Sequence, residues 1–351
     1  MIENWGIIGH RWAVDFLRTS LIGGRASHAY LISGPAQLGK ALLALRLAQA
    51  LNCDSSELSG DPCGECRSCR QIARGIQPDV RVAGMASQAI GVKPEDAAKQ
   101  RDLKIDTVRD WLADVNLKPY ESRRRVFILH DAERLNEAAA NAMLKTLEEP
   151  PPYATLVLVA NTSGELMATI VSRCQPLKLR PVPRAEIATA LRTHKQLAAE
   201  DADLLAAWSG GRPGWAFQMV ETPDVLAAQQ EQLEQLIGLA NVPRGEAFRW
   251  AEEQAKAYRS GEQAKVFAAL ALWQSWWRDV MLTAGGVPGQ ITHIDMRNDL
   301  AKLARSYRIA EVRDFIAKLD ATAQQLRENV NPQLALENAL LHLPQIETAR
   351  R

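Results

Sequence analysis

Long apolar runs are missing from this chain of 351 residues, and none approaches the ~20 residues that a membrane-spanning helix needs. The opening MIENWGIIGHRW lacks a basic n-region, an apolar h-region and a cleavage site, so no export signal is read there. An excess of charge is also lacking, with 42 Lys and Arg against 41 Asp and Glu. That balance excludes a protein wrapped in nucleic acid on all sides and leaves room only for a local basic face. The expectation is a soluble, cytoplasmic protein with no membrane partner. Its length exceeds one ordinary core and predicts two or three domains.

Cysteine is scarce, at five residues, yet four of them fall close together as C-x9-C-x2-C-x2-C: Cys53, Cys63, Cys66 and Cys69. Two disulfides would use the same residues, but a reducing compartment disfavours them. A redox C-x-x-C is expected on a strand-to-helix turn, whereas these cysteines lie among Ser59, Gly60, Asp61, Pro62 and Gly64, which read as loop. Four soft thiolates with short x2 spacings suit one tetrahedral ion, so a closed structural zinc site is the best reading.

Periodicity places that cluster inside an α/β domain. HRWAVDFLRTSLIG (10–23) puts Ala13, Phe16, Leu17 and Leu21 at helical spacing before Gly23-Gly24. AYLIS (29–33) is a strand that leads into GPAQLGK, and Leu43, Leu47 and Leu51 then mark a second helix. PDVRVAG (78–84), VFILHD (126–131) and TLVLVAN (155–161) read as further strands, the last two buried on both faces. IDTVRDWLADVNL (105–117) reads as a helix, and Leu135, Ala139, Met143 and Leu147 mark another that Pro150 to Pro152 stop. Strands alternating with helices predict a mostly parallel sheet over residues 1–180. Strand signals then vanish: 181–221 reads as a small helical domain with Gly210-Gly211, and 222–351 as a third, all-helical domain.

Gly34, Gly39 and Lys40 satisfy GxxxxGK, whose backbone N–H groups cradle phosphates at a helix N-terminus. What should follow is Ser or Thr, to ligate magnesium; Ala41 stands there, and a methyl group binds no cation. The apolar strand VFIL should end in an Asp followed by a second acid, but ends His130-Asp131. A histidine nitrogen suits magnesium poorly, and Asp131 is one methylene shorter than the usual glutamate. Reading Asp131 as the metal ligand instead leaves Ala132 as the base position. Either way, weak or absent ATP binding without turnover is expected.

Ser172-Arg173-Cys174 precedes another short strand, and an arginine at a domain edge is by itself usually solvated or locally paired. The sequence HAYLISGPAQLGKALLALRLAQALNC, the cysteine knuckle, ESRRRVFILHDAERLNEAAANAMLKTLEEPPPYATLVLVAN and SRC together resemble the bacterial clamp-loader branch of the AAA+ ATPases. The resemblance covers at least residues 5–217, is strongest from Val126 to Cys174, and is only architectural in the helical C-terminal part. It implies an AAA+ P-loop parallel-sheet domain, a lid and a collar domain that joins a ring. It also implies a hetero-pentamer with tau/gamma and delta subunits that acts on a sliding clamp and primed DNA. Arg173 falls on the position of an arginine finger, which would complete a neighbour's ATP site in trans. Such fingers contribute roughly 10³ to 10⁵ in rate. Hydrolysing members carry GKT or GKS, a DE-type strand end and a sensor arginine in the lid. Ala41, His130 and Gly214 stand at those places here, with Arg212 close by as a substitute. These departures count against a motor subunit and for a non-catalytic subunit of the polymerase holoenzyme. A zinc-stabilised scaffold unconnected with a loader is the alternative of another class.

Three further features have bland readings. Trp273, Trp276 and Trp277, at i, i+3 and i+4, fit a packed bundle or a subunit contact better than a stacking platform for single-stranded DNA. Glu148 and Glu149 read as a solvated helix end that shapes a subunit-facing loop. Arg123, Arg124 and Arg125 read as a solvated basic turn, with DNA contact the lesser option.

Overall fold

The computed structural model describes residues 3–55, 60–97, 100–328 and 330–344. Its contacts divide the chain into two compact units, residues 1–194 with 211–215, and residues 195–210 with 216–351.

The first unit contains α1 (Arg11–Ile22), β1 (Ala29–Ser33), α2 (Lys40–Asn52), α3 (Arg67–Ala73), β2 (Val80–Ala83), α4 (Met85–Gln88) and α5 (Pro94–Ala97). It continues through α6 (Ile105–Leu112), β3 (Arg125–Leu129), α7 (Glu137–Glu148), β4 (Ala154–Ala160), α8 (Ala168–Val171), β5 (Gln175–Lys178) and α9 (Arg184–Lys195). The five strands form one sheet in the order β2-β3-β4-β1-β5, and every pairing is parallel. The continuous apolar runs resolve into two cores because successive strand residues point to opposite faces. Leu31, Phe127, Leu129, Leu156 and Leu158 pack with α6 and α7 residues on one side. Tyr30, Ile32, Val126, Ile128, Val157 and Val159 pack with α1 and α2 residues on the other. At the head of α7 the Asn136 side chain accepts from Ala139 N–H at 2.8 Å, a cap that typically contributes about 1 kcal/mol.

Some expectations shift. Phe16 sits on the exposed side of α1, although Ala13 and Leu17 are buried as expected. The predicted helix 105–117 stops at Leu112, and Val115 reaches the core from a turn instead. The three arginines before β3 do not form one solvated turn. Arg125 begins the strand, is buried, and pairs with Asp79 at 3.3 Å. Asp79 accepts the backbone N–H groups of Tyr120, Glu121 and Ser122 at 2.8, 2.9 and 2.9 Å. Burial works against its charge, but those three donors and the Arg125 guanidinium outweigh burial and hold its carboxyl below the usual range. The loop ahead of β3 is thereby fixed to the sheet.

The second unit is helical: α10 (Ala199–Trp208), the end of α11 (Pro213–Glu221), α12 (Pro223–Gly238), α13 (Arg244–Arg259), α14 (Gln263–Ala284), α15 (Arg297–Leu303), α16 (Ile309–Arg327) and α17 (Pro332–Leu340). The helix α11, directly after Gly210-Gly211, has no counterpart among the sequence expectations. Trp273, Trp276 and Trp277 are at most 2 % exposed, which rules out a stacking surface. Trp273 packs edge-on to Trp250 and Phe315, and Trp277 edge-on to Tyr307 and Phe315.

Beside them lies a buried polar group. Asp279 on α14 is fully buried, and its Oδ2 accepts the backbone N–H groups of Thr292 and His293 at 2.7 and 2.8 Å. His293 Nδ1 lies 2.8 Å from the same oxygen, and its ring meets Trp208 and Trp276 edge-on. The carboxylate ties the 287–293 segment to α14, and removing it orphans two backbone donors and an imidazole. We predict that Asp279→Ala costs about 3–5 kcal/mol, read by urea unfolding followed through tryptophan fluorescence; a loss below about 1 kcal/mol contradicts the anchoring role.

Candidate functional sites

The glycine loop leaves the C-terminal end of β1, which lies between β4 and β5 in the sheet, so the ends of three strands converge there. In open α/β sheets this crevice is where ligands sit. Gly34, at φ 145°, passes so close to the chain after β5 that a Cβ would stand 2.5 Å from the Leu179 carbonyl oxygen. Gly39 caps α2 in the left-handed conformation at φ 92°. Lys40 is only 7 % exposed, and its ammonium donates to the carbonyls of Gly34 and Pro35 at 2.5 and 2.7 Å and to Asn161 Oδ1 at 3.0 Å. Burial pushes the lysine pKa down, with the charges of Glu133 and Asp131 acting in opposition.

Asn161 and Glu133 are additions that sequence reasoning missed. Asn161 donates its amide to Glu133 Oε1 at 2.7 Å and its backbone N–H to Glu133 Oε2 at 3.2 Å, extending a relay from the lysine to an acid. The visible signal was a polar residue closing an apolar strand; the strand order that sets it beside Lys40 was not visible. His130 donates its backbone N–H to Ala83, and burial lowers the pKa of its ring. Asp131 adopts a left-handed conformation at φ 55°, and its Oδ2 accepts Met85 N–H at 3.1 Å at the start of α4. Ala41 offers no side-chain oxygen. At the expected sensor position, Gly214 N–H donates to the Gln37 carbonyl at 2.9 Å, and a Cβ there would lie 2.8 Å from that oxygen. An arginine has no room at 214 while the loop keeps this shape. Arg212 instead lies over Trp215, 6.0 Å from the ring centroid.

The four predicted cysteines do come together. The sulfur atoms of Cys53, Cys63, Cys66 and Cys69 lie within 4.8 Å of one another, close to the about 3.8 Å separation that tetrahedral coordination at Zn–S distances of about 2.3 Å requires. The knuckle orients its own sulfurs. Glu65 and Cys66 N–H donate to Cys63 Sγ at 3.4 and 3.2 Å, Cys69 N–H to Cys66 Sγ at 3.4 Å, and Cys63 N–H to Cys53 Sγ at 3.4 Å. Burial pushes the thiols of Cys53 and Cys69 up. Cys63 is also opposed by burial, but the N–H groups of Cys66 and Glu65 bring it down to about 6. Such a cluster keeps all four sulfurs ionised only around a cation, so the donor set fits a metal. Its ties reach both neighbouring helices: Gln49 on α2 donates to the Cys69 carbonyl at 2.7 Å, and Asp61 accepts from Trp5 and Arg18, each at 2.7 Å. Cys174 stands apart in the core, its thiol pushed up to about 12 by burial.

Arg173 follows α8, and its guanidinium is held at three points. One terminal nitrogen donates to Glu148 Oε1 at 2.7 Å, the other to the Thr169 carbonyl at 2.9 Å and to Ser172 Oγ at 3.4 Å. Glu148 therefore ends α7 as the partner of Arg173, and is not merely a solvated carboxylate.

Two family profiles match the chain: one described as DNA polymerase III, delta subunit, over residues 9–183, and one as DNA polymerase III, delta subunit, C terminal, over residues 254–345. DNA polymerase III subunit delta' of Pseudomonas aeruginosa is 38% identical over 197 residues, 55% of this chain and 56% of the relative, so the chain spans little more than half of that protein. The Bacillus subtilis subunit delta' is 27% identical over 333 residues, 94% of each chain. A solved DNA polymerase III gamma subunit-related protein from Thermotoga maritima is 19% identical, with a TM-score of 0.41, over 93% of this chain and 98% of that one.

In metal-free, reduced protein at pH 7, we predict that iodoacetamide alkylates Cys63 ahead of Cys53 and Cys69, because backbone N–H groups bring its thiol down to about 6 while burial pushes those two up. One equivalent of zinc should protect it. Peptide mapping that shows equal labelling of the three, or no protection, contradicts the cluster described.

Proposed function

Because the chain belongs to the DNA polymerase III delta-subunit family, we propose that it acts as a delta-prime-type subunit of a clamp loader. On this reading it assembles with tau/gamma and delta in a hetero-pentamer that places a sliding clamp on primed DNA. The observation that carries the assignment is a pairing of opposites. The chain's own loop has its lysine committed internally and lacks the hydroxyl for magnesium, while Arg173 sits half-buried just past α8, held by Glu148 and the Thr169 carbonyl. A site unable to hydrolyse beside a well-held arginine fits a subunit that contributes catalysis to its neighbour.

The neighbour's bound nucleotide would develop charge on its terminal phosphate oxygens as it is cleaved. The Arg173 guanidinium, always cationic, would exchange the Glu148 carboxylate for those oxygens. Its pair with Glu148 is exposed, and such pairs contribute only about 0–1 kcal/mol, so the exchange costs little. The lid and collar assignments, 181–221 and 222–351, belong to the same proposal, as does a cytosolic site of action.

The metal of the four-cysteine cluster is, on this reading, zinc, held by Cys53, Cys63, Cys66 and Cys69. Four thiolates leave no open coordination position, so its contribution is to folding. The helices stitched to the knuckle are α1 and α2, and α2 begins at Lys40.

Arg173→Ala should leave assembly of the reconstituted pentamer intact. It should lower single-turnover hydrolysis at the site it completes by about 10³-fold or more. Unchanged DNA-stimulated ATPase in an intact pentamer overturns the assignment.

A further inference from the structure

The exposed side of α3, opposite the buried Cys69, and the loop ahead of β3 carry none of the glycine-loop or metal-ligating side chains, yet they are built to a pattern. Arg67, Arg70 and Arg74 recur at i, i+3 and i+7, so they share one side of α3, and all three are exposed. Ser68, Cys69 and Ile72 form the buried side and fix which way the stripe faces. The stripe abuts the 117–124 loop, because Arg67 meets Glu121 at 3.1 Å. From that loop Lys118 and Tyr120 project into solvent, with Tyr120 83 % exposed.

An aromatic ring so exposed on a floppy loop would mean little. Here the backbone beneath it is fixed by the N–H groups that Tyr120, Glu121 and Ser122 donate to buried Asp79, itself paired with Arg125. The ring is thus presented to solvent from a backbone held at three points. The strands are parallel, and this loop enters β3 at its N-terminal end while the glycine loop leaves β1 at its C-terminal end. The face therefore lies at the opposite end of the sheet from Lys40.

We infer that the Arg67–Arg70–Arg74 stripe and Tyr120 form a binding surface for single-stranded nucleic acid. Cations at helical spacing would follow the phosphate backbone, with the tyrosine ring as a platform for one base. Charge complementarity selects a polyanion. A flat phenol ring beside the charges selects one that carries stackable bases over an acidic peptide. The surface is independent of Arg173, so its test and that of the arginine finger fail separately.

The test uses the full zinc-loaded chain and fluorescence anisotropy of a labelled oligothymidylate of about 20 nucleotides. The variants are Arg70→Glu with Arg74→Glu, Tyr120→Ala, and Arg173→Ala as a control on another surface. Circular dichroism and melting temperature confirm that each is folded. Saturable binding is expected that weakens steeply between about 50 and 200 mM salt. The double reversal should weaken it at least about thirtyfold, Tyr120→Ala about tenfold, and Arg173→Ala not at all. Three results overturn the inference: no saturable binding at low salt, binding equal in wild type and the folded variants, or a preference for polyglutamate over the oligonucleotide.

Discussion

A buried ammonium group organises the glycine-loop end of the first unit. Lys40 has three N–H donors and no acceptor, and here they meet three acceptors: two carbonyls of its own loop and the side chain of Asn161. Burying a cation without such partners would cost several kcal/mol. The partners offset that cost and join β1, the loop and α2 to the end of β4. Glu133, holding Asn161 from behind, completes the balance of charge. The loop's lysine is already satisfied, so on the proposed function any phosphate must compete with these contacts. Gly214, in hydrogen-bond contact with Gln37, closes over the same loop and leaves no space for a larger side chain at 214.

Seen from that loop, the remaining features divide between holding shape and acting elsewhere. The cysteine knuckle hangs on the far end of α2 through Gln49 and on α1 through Asp61, so it supports the helix whose first residue is Lys40. Asp79 fixes the loop before β3. Arg173 is held past α8 by Glu148 and the Thr169 carbonyl, and on the proposed function it would exchange the exposed Glu148 contact for a neighbour's phosphate. In the second unit, the buried Asp279 carboxylate fixes a loop against a helix among tryptophans, a structural use of charge with no surface role.

Much of this was legible in the sequence wherever the informative residues are neighbours along the chain. The C-x2-C-x2-C spacing, GxxxxGK with Ala41 after it, and the two-residue strand period all report local geometry. The structure agrees with the strands to within a few residues and with the sulfur cluster. What stayed hidden depends on strand order or on distant pairs. Asn161 reaches Lys40 only because β4 neighbours β1, and Glu148 meets Arg173 across 25 positions. Arg125 looked like one of three surface arginines because its partner, Asp79, lies 46 residues earlier. Helix α11 was missed because Gly210-Gly211 read as the close of the preceding helices, although Pro213 is well placed in a helix's first turn.

The proposal that this chain's own site makes poor use of magnesium rests on Ala41, which supplies no hydroxyl, and on Asp131, one of whose carboxylate oxygens accepts Met85 N–H at the start of α4. Calorimetric titration of the purified chain with a non-hydrolysable ATP analogue, with and without magnesium, tests it most directly. The account predicts weak or undetectable binding that magnesium leaves unchanged within about twofold. Tight binding strengthened about tenfold or more by magnesium, equivalent to about 1.4 kcal/mol, would contradict it.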